Sequence, residues 1–273
     1  MNVNGTTLDV FVCHVMQGQS DKALMTAGPM KSAAAAVWAC NELVWPTLEV
    51  LQDLYAAHHV SRGGYHSSIR ILAAVAAKAV LRLAPTGASD RSMMVLTVPG
   101  EREEFGADLI AHLAEAHGWA VYFAGAGAIH EEIIFALGRL SPDAIVIHAG
   151  LLGSQPAVTG LVRHLRSAGI WPMSQLCVCG RVVAGFTQRP SDPRADILGH
   201  TPIELLELMG LCPDFRAAPN DCAATLLPMP VNSVPKCGHA PSPAISPPQP
   251  ASETISRVIY RRLAGRWGDG DSN

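Results

Sequence analysis

The sequence is poor in charged and in aromatic residues. Charged side chains make up 16% of the 273 residues and aromatic side chains 5%, whereas 49% are hydrophobic, and the net charge is −3. A chain this long and apolar can bury a substantial core. Without an excess of positive charge it has no overall field that would hold a nucleic-acid backbone. We therefore do not expect a nucleic-acid partner.

The sequence also lacks an apolar run long enough to span a membrane. The longest apolar stretch, Ile69 to Leu83, is interrupted by Lys78 and Arg82 and falls short of the roughly 20 residues that a transmembrane helix needs. The seven cysteines are an odd number scattered through apolar surroundings, and no signal-peptide pattern opens the chain. These features predict a cytoplasmic protein without a transmembrane helix.

Residues 1–85 show helical periodicity and few strand signals. Apolar residues run through Leu8–Met16, Ala33–Leu54 and Ser67–Leu83, with glycine-containing breaks between them. Pro46 is expected at the start of a helix or at a kink, because proline cannot donate a backbone hydrogen bond. The pattern predicts an antiparallel bundle of four helices over residues 1–85.

After a short linker, residues 86–92, β-rich runs alternate with amphipathic helices. This alternation predicts a doubly wound parallel sheet, Rossmann-like or flavodoxin-like, in an α/β domain over residues 93–210, with ligands beyond the carboxyl ends of the strands. In chain order the predicted elements are strand 93–98, helix 105–117, strand 120–124, helix 129–140, strand 144–148, helix 156–168, strand 175–178, a short strand 197–198 and helix 202–209.

The composition changes again beyond this domain. Residues 211–252 are predicted to form a Pro-rich linker, because Pro228 to Pro250 are rich in Pro, Ser and Ala and show no periodicity. Residues 253–267 predict a basic amphipathic helix and residues 268–273 a disordered tail. A basic amphipathic helix can dock on a partner, a membrane surface or its own domain. We expect a protein partner at this tail, with a solvated terminal helix as the alternative.

The most specific motif, Gly100-Glu-Arg-Glu-Glu-Phe-Gly106, follows the first predicted strand and opens a helix. Carboxylates at a helix N-terminus need no functional explanation. In this position, however, the segment resembles the Asp-x-His-x-x-Gly loop of cobalamin-binding modules. In that family the His ligates cobalt, the Asp orients the His, and the Gly permits close approach of the cofactor. Glu101 stands at the Asp position, Glu103 at the His position and Gly106 at the Gly position.

Other elements of the same family follow in the expected order. The family's Ser-x-Leu ends the third strand, beside the groove for the cofactor's nucleotide tail, and its Gly-Gly follows the fourth strand. The family's capping bundle carries a Trp and, at a fixed spacing, Glu-His. The resemblance implies a helical cap over a cobalamin bound by Tyr55, Tyr65 and His66 from the cap, Glu101, Glu103 and Gly106 from the loop, His148 and Gly150 at the Ser-x-Leu position, and Cys179 and Gly180 at the Gly-Gly position.

The missing histidine leaves three alternatives open. Glutamate is a hard, charged oxygen donor, whereas cobalt in corrins is normally bound by a neutral imidazole nitrogen, so Glu103 is not expected to replace the ligand. Cobalamin could bind with its own benzimidazole attached, or another histidine could supply the ligand, with His148 as the candidate by position, or no corrinoid binds. Cys177 and Cys179 share a strand face and are interpreted as structural, with a redox or metal-binding pair as the alternative.

The sequence thus predicts a binding protein rather than an enzyme. The leading hypothesis is a non-enzymatic regulatory or sensory protein that binds cobalamin or a related tetrapyrrole. One alternative is a corrinoid methyl carrier of a methyltransferase system. The other is a ligand-free scaffold that retains the fold, in which large side chains such as His148 and Arg181 would close the groove.

Overall fold

A computed structural model describes residues 3–83, 89–98, 104–126, 128–169, 174–186 and 195–211, with side chains from residue 7 onward. All of these residues belong to one compact unit. The predicted Pro-rich linker, basic helix and tail lie outside the described residues, as do Glu101 and Glu103. No helix in the described part of the chain is long and apolar enough to cross a membrane.

The first part of the chain forms the predicted helical bundle. Its helices are α1 (Val3–Met16), α2 (Ser20–Thr26), α3 (Ala33–Ala39), α4 (Trp45–Ala56) and α5 (Arg62–Val80). A π-helical turn, Cys40–Val44, joins α3 to α4 without a break, so the five helices form four rods. Pro46 lies in the first turn of α4. Because proline removes a backbone donor and crowds the carbonyl four residues earlier, a widened turn relieves its presence inside the long rod.

The second part of the chain is the predicted α/β domain. A parallel sheet of five strands has the order β2-β1-β3-β4-β5, which confirms the doubly wound fold class. Each predicted element is present with its ends displaced by one residue at most, and the short helix α9 is additional. The elements are β1 (Ser92–Thr97), α6 (Phe105–Ala116), β2 (Ala120–Ala124), α7 (His130–Leu140), β3 (Ala144–His148), α8 (Gln155–Ser167), β4 (Gln175–Cys179), α9 (Val183–Phe186), β5 (Ile197–Gly199) and α10 (Pro202–Leu208).

The strand order reverses direction between β1 and β3. In open α/β sheets, ligands bind in the crevice outside the carboxyl ends of the strands at this switch point. Here β1 ends at Thr97 and β3 at His148, and these two residues are paired in register. The topology therefore predicts a ligand site at the ends of these two strands.

The helical bundle and the sheet share one hydrophobic core. This core extends from Phe11 and Leu72 in the bundle through Ile110 of α6 to Val146 of β3. The opposite face of the sheet is covered by α7 and α8 over a separate core. The bundle, called the cap below, is therefore built into the same packed interior as one face of the sheet.

A matched pair of leucine substitutions on and beside α5 tests the shared core. Leu72 has no exposed surface, whereas Leu81, next to the end of α5, is 84% exposed. We expect Leu72→Ala to lower the free energy of unfolding by about 2–5 kcal/mol, because it leaves a cavity. Leu81→Ala should change it by less than about 0.5 kcal/mol. Denaturant unfolding of both variants measures the difference, and equal effects would contradict the described packing.

Candidate ligand site where the cap meets the sheet

Three strands end side by side beneath the cap. Thr97 of β1 pairs with His148 of β3, which pairs with Cys179 of β4. All three residues are buried. Gly106, in the first turn of α6, and Trp45, at the start of α4, approach the His148 ring from the neighbouring layers. The structure thus brings Gly106, His148 and Cys179 together, as the resemblance predicts.

The imidazole of His148 fills the centre of this arrangement. A Cβ atom added to Gly106 would overlap Nε2 of the ring, and one added to Gly180 would lie 3.4 Å from its Cδ2. The Trp45 ring meets the imidazole edge-on, with 6.0 Å between the ring centroids. His148 has 0% exposed surface. Gly106 is needed because a side chain there would occupy the space that the ring takes, whereas a Cβ atom on Gly180 would overlap the backbone carbonyl oxygen of Ala149.

Polar atoms at the ends of β1 and β3 have no partners. Neither ring nitrogen of His148 has a hydrogen-bond partner, and the same holds for Oγ1 of Thr97. Each unpaired buried group costs about 1–3 kcal/mol. Burial lowers the pKa of His148 to about 4, so the ring is neutral near pH 7. A neutral imidazole and a hydroxyl, both without hydrogen-bond partners, therefore lie next to each other at the switch point of the sheet.

Helix α4 presents polar side chains to the same edge of the sheet. Asp53 forms a 2.6 Å ion pair with Arg181, which follows β4. Gln52 is buried beside Gly150, where an added Cβ atom would lie 2.6 Å from the Gln52 amide nitrogen. Burial raises the pKa of Glu49 on the same helix, an effect that the charge of Arg181 opposes. The cap therefore contacts the loops after β3 and β4 mainly through polar groups.

The three predicted cap residues form a cluster of their own. Tyr55 at the end of α4 stacks on Tyr65 in the first turn of α5, with 4.7 Å between the ring centroids. His66 meets Tyr65 edge-on at 5.8 Å. Tyr65 is buried, whereas Tyr55 and His66 are exposed. The predicted spacing thus brings the three residues together, and their role in binding stays a prediction.

The two cysteines of β4 lie buried on one face of the sheet. Burial raises the pKa of Cys177 to about 12 and that of Cys179 well above its usual value. Both thiols therefore stay protonated near neutral pH, and a protonated thiol is a poor nucleophile and metal ligand. Within the described residues, no group of three or more His, Cys, Asp or Glu side chains could hold a metal ion.

Several residues of the site are not predicted from the sequence. Trp45, Thr97 and Gln52 carry no motif, although the end of β1 at a switch point is a signal that would have found Thr97. The Asp53 and Arg181 pair joins residues 128 positions apart, and nothing local in the sequence indicates it. At this edge Arg181 is engaged in its ion pair with Asp53, and the ligand-free scaffold stays an untested alternative.

Comparisons with known proteins give matches in structure only. No protein-family model matches the chain, and no curated protein matches it. The monomethylamine corrinoid protein of Methanosarcina barkeri superposes with a TM-score of 0.61 at 12% identity, over 76% of this chain and 98% of that protein. The chain has the fold of a corrinoid protein. At this identity the likeness shows the fold and nothing more.

Two other solved structures superpose less well. A cobalamin-binding protein from Desulfitobacterium hafniense DCB-2 has a TM-score of 0.40 at 16% identity, over 74% of this chain and 97% of that one. The methanol:cobalamin methyltransferase complex of Methanosarcina barkeri has a TM-score of 0.38 at 13% identity, over 75% of this chain and 78% of that one. The assignment of a corrinoid-protein fold rests on the first structure.

Substitution of Gly106 tests the position of the His148 ring. In a helix, Gly→Ala usually stabilises by about 0.5–1 kcal/mol, and Gly160→Ala in α8, where the added Cβ atom meets nothing within 4 Å, should do so. Gly106→Ala should instead destabilise by about 1–3 kcal/mol, because its Cβ atom overlaps the imidazole. In the background of His148→Ala the penalty should largely vanish. A Gly106→Ala protein as stable as Gly160→Ala would contradict this geometry.

The pH dependence of stability tests the buried state of His148. The folded protein holds this imidazole neutral down to about pH 4, whereas an unfolded chain protonates histidine near pH 6.5. The contribution of His148 to the free energy of unfolding is therefore fully present above about pH 6.5. It is lost as the pH falls toward 4, by up to about 1.4 kcal/mol per pH unit. The raised pKa of Glu49 acts in the opposite direction.

The variant His148→Gln removes this contribution and keeps the others. Its free energy of unfolding should fall less steeply between pH 6.5 and 4 than that of the wild type. Leu81→Ala alters an exposed residue that does not titrate and should follow the wild-type curve. Parallel curves for all three proteins would show that His148 is not held neutral in the folded state.

Proposed function

We propose that the protein is a non-enzymatic regulatory or sensory protein that binds cobalamin or a related tetrapyrrole between the cap and the carboxyl edge of the sheet. Binding does not use a loop histidine, because residue 103 is glutamate. The observation that carries the proposal is the unpaired, buried hydroxyl of Thr97 at the end of β1. It lies at the switch point where folds of this type bind ligands, and proteins rarely leave such a group unpaired without a functional reason.

The contacts between cap and sheet support a regulatory role. Three residues of α4 reach the edge of the sheet. The Trp45 ring meets His148 edge-on. Gln52 lies beside Gly150, and Asp53 forms an ion pair with Arg181. A ligand that enters between the two layers must change these contacts, and its occupancy is thereby transmitted to the cap. The ion pair offers little resistance, because Asp53 is 38% exposed and such pairs contribute about 0–1 kcal/mol.

The chemistry of the described site favours binding over catalysis. His148 is neutral and Cys177 and Cys179 are protonated near pH 7, while Asp53 is paired with Arg181. A methyl-carrier role is less well supported, because the histidine that tunes the cobalt in such carriers is replaced by Glu103. A protein partner at the C-terminal tail remains part of the proposal.

A ligand-free scaffold is the second candidate, and one observation favours it. The imidazole of His148 fills the space between Gly106 and the strand ends, and Arg181 closes the edge against Asp53. If the cap never separates from the sheet, the fold serves only to hold the cap and the tail. The two candidates differ in whether the folded protein retains a corrinoid.

Reconstitution separates these candidates. Full-length protein is mixed in the dark with adenosyl-, methyl- or hydroxocobalamin and freed of unbound ligand, and its absorption spectrum is recorded. The proposal predicts retention of one corrin per chain by the wild type and by Leu81→Ala, which alters an exposed position. Folded protein without a corrin band in all three preparations would overturn the binding proposal and favour the scaffold.

A further inference from the structure

The groove beside the end of β3 is already occupied by part of the protein. We infer that His148 is a built-in plug whose imidazole fills a pocket shaped for a heteroaromatic base, so that a corrinoid bound by this protein keeps its own benzimidazole on cobalt. The second half of this inference rests on the proposed function. The first half, the pocket, rests only on the contacts of the His148 ring.

The pocket is narrow, and two of its neighbours are glycines. Nε2 of His148 abuts Gly106 of α6, and Cδ2 faces Gly180 at the distance of an ordinary contact for an added Cβ atom. Gly180 has a φ of 111°, which side chains other than glycine rarely adopt. Thr97 and Cys179 lie on either side of His148 in the sheet. The flat ring of His148 fits between these neighbours.

The pocket holds the ring by shape and not by hydrogen bonds. Neither nitrogen of His148 has a partner, and Oγ1 of Thr97 is unpaired in the adjacent strand. Removal of the ring would leave a planar space with one hydroxyl at its edge. That space has the size of an imidazole ring, and the hydroxyl at its edge can donate to a ring nitrogen that accepts a hydrogen bond.

The backbone on both sides of His148 is fixed by hydrogen bonds. The backbone of His148 is fixed on one side, where its carbonyl accepts a 3.0 Å hydrogen bond from Val98. The next residue is fixed on the other side, where the amide of Ala149 donates a 2.9 Å bond to Cys179. Rotation of the ring would drive it into a core that is already packed. The ring is therefore held in the groove by its own backbone.

The same contacts argue against His148 as the cobalt ligand. Its Nε2 faces the backbone of Gly106, at a distance too short even for a methyl group. A metal bound to imidazole lies about 2 Å from the nitrogen and would need that space. Since the groove cannot hold two bases, the nucleotide base of a bound cobalamin has no place beneath His148. The base remains attached to cobalt.

The pocket is tested first without any corrinoid. His148→Gly opens it, His148→Ser introduces the residue that the resembling family has there, and His148→Gln keeps it filled as the matched control. Imidazole and 5,6-dimethylbenzimidazole are titrated into each protein by calorimetry, with thermal unfolding as a second readout. We expect the Gly or Ser variant to bind at least one base ten times more tightly than the wild type and the Gln variant.

Either opened variant suffices for this comparison. If His148→Gly unfolds, His148→Ser carries the test, and refolding of His148→Gly in imidazole provides an independent readout. Folded variants that bind both bases no better than the wild type would overturn the pocket. Binding by the Gln variant as well would show that the bases go elsewhere and would also overturn it.

The second test uses wild-type protein reconstituted with methylcobalamin. The cobalamin carries a nitrogen-15 label in its benzimidazole. The nitrogen splitting in the electron paramagnetic resonance spectrum of the reduced Co(II) form then reports whether benzimidazole is on cobalt, because the label gives a doublet and an unlabelled histidine gives a triplet. We expect the base-on form in the wild type and the base-off form in Glu103→His/His148→Ser. A base-off wild type would overturn the inference. A wild type that retains no corrinoid would overturn the proposed function, while the base titrations would still decide the pocket.

Discussion

An uncharged imidazole without hydrogen-bond partners lies where the sheet, α6 and the cap meet. The close approach of Gly106 and the edge-on contact with Trp45 both depend on this ring. Each polar atom that it leaves unpaired costs about 1–3 kcal/mol, so the ring is retained for the volume that it fills. A cavity in its place would forfeit packing on every side. Shape therefore outweighs polarity at this position.

The cap is held on the sheet by apolar packing, and its polar contacts contribute little to the free energy that holds it there. The shared core joins α5 to α6 and the sheet through residues without exposed surface such as Leu72 and Ile110. By comparison the pair of Asp53 and Arg181 contributes about 0–1 kcal/mol, since the carboxylate is 38% exposed. Contacts at the edge of the sheet can thus change without loss of the core. This difference in strength is what a cap needs if it is to respond to a ligand.

The sequence allowed the fold to be predicted but only part of the site. Strand and helix alternation, with signals such as the N-cap of Thr201, acts locally and placed every element of the sheet. The resemblance brought Gly106 and His148 together, because each follows a strand at a fixed place in the topology. It could not show that the imidazole fills the groove, since that depends on the distance between α6 and β3. Trp45 and Arg181 reach the site only through tertiary packing.

The proposed function relates the residue at position 148 to the residue at position 103. In the resembling family a loop histidine takes the place of the cofactor's base on cobalt, and the released base needs a groove. Under the proposed function, Glu103 would leave no reason for release, because a carboxylate is a poor substitute for a neutral imidazole on cobalt. The groove would then be an empty space in the core, which packing disfavours. His148 fills this space with an imidazole ring that abuts Gly106.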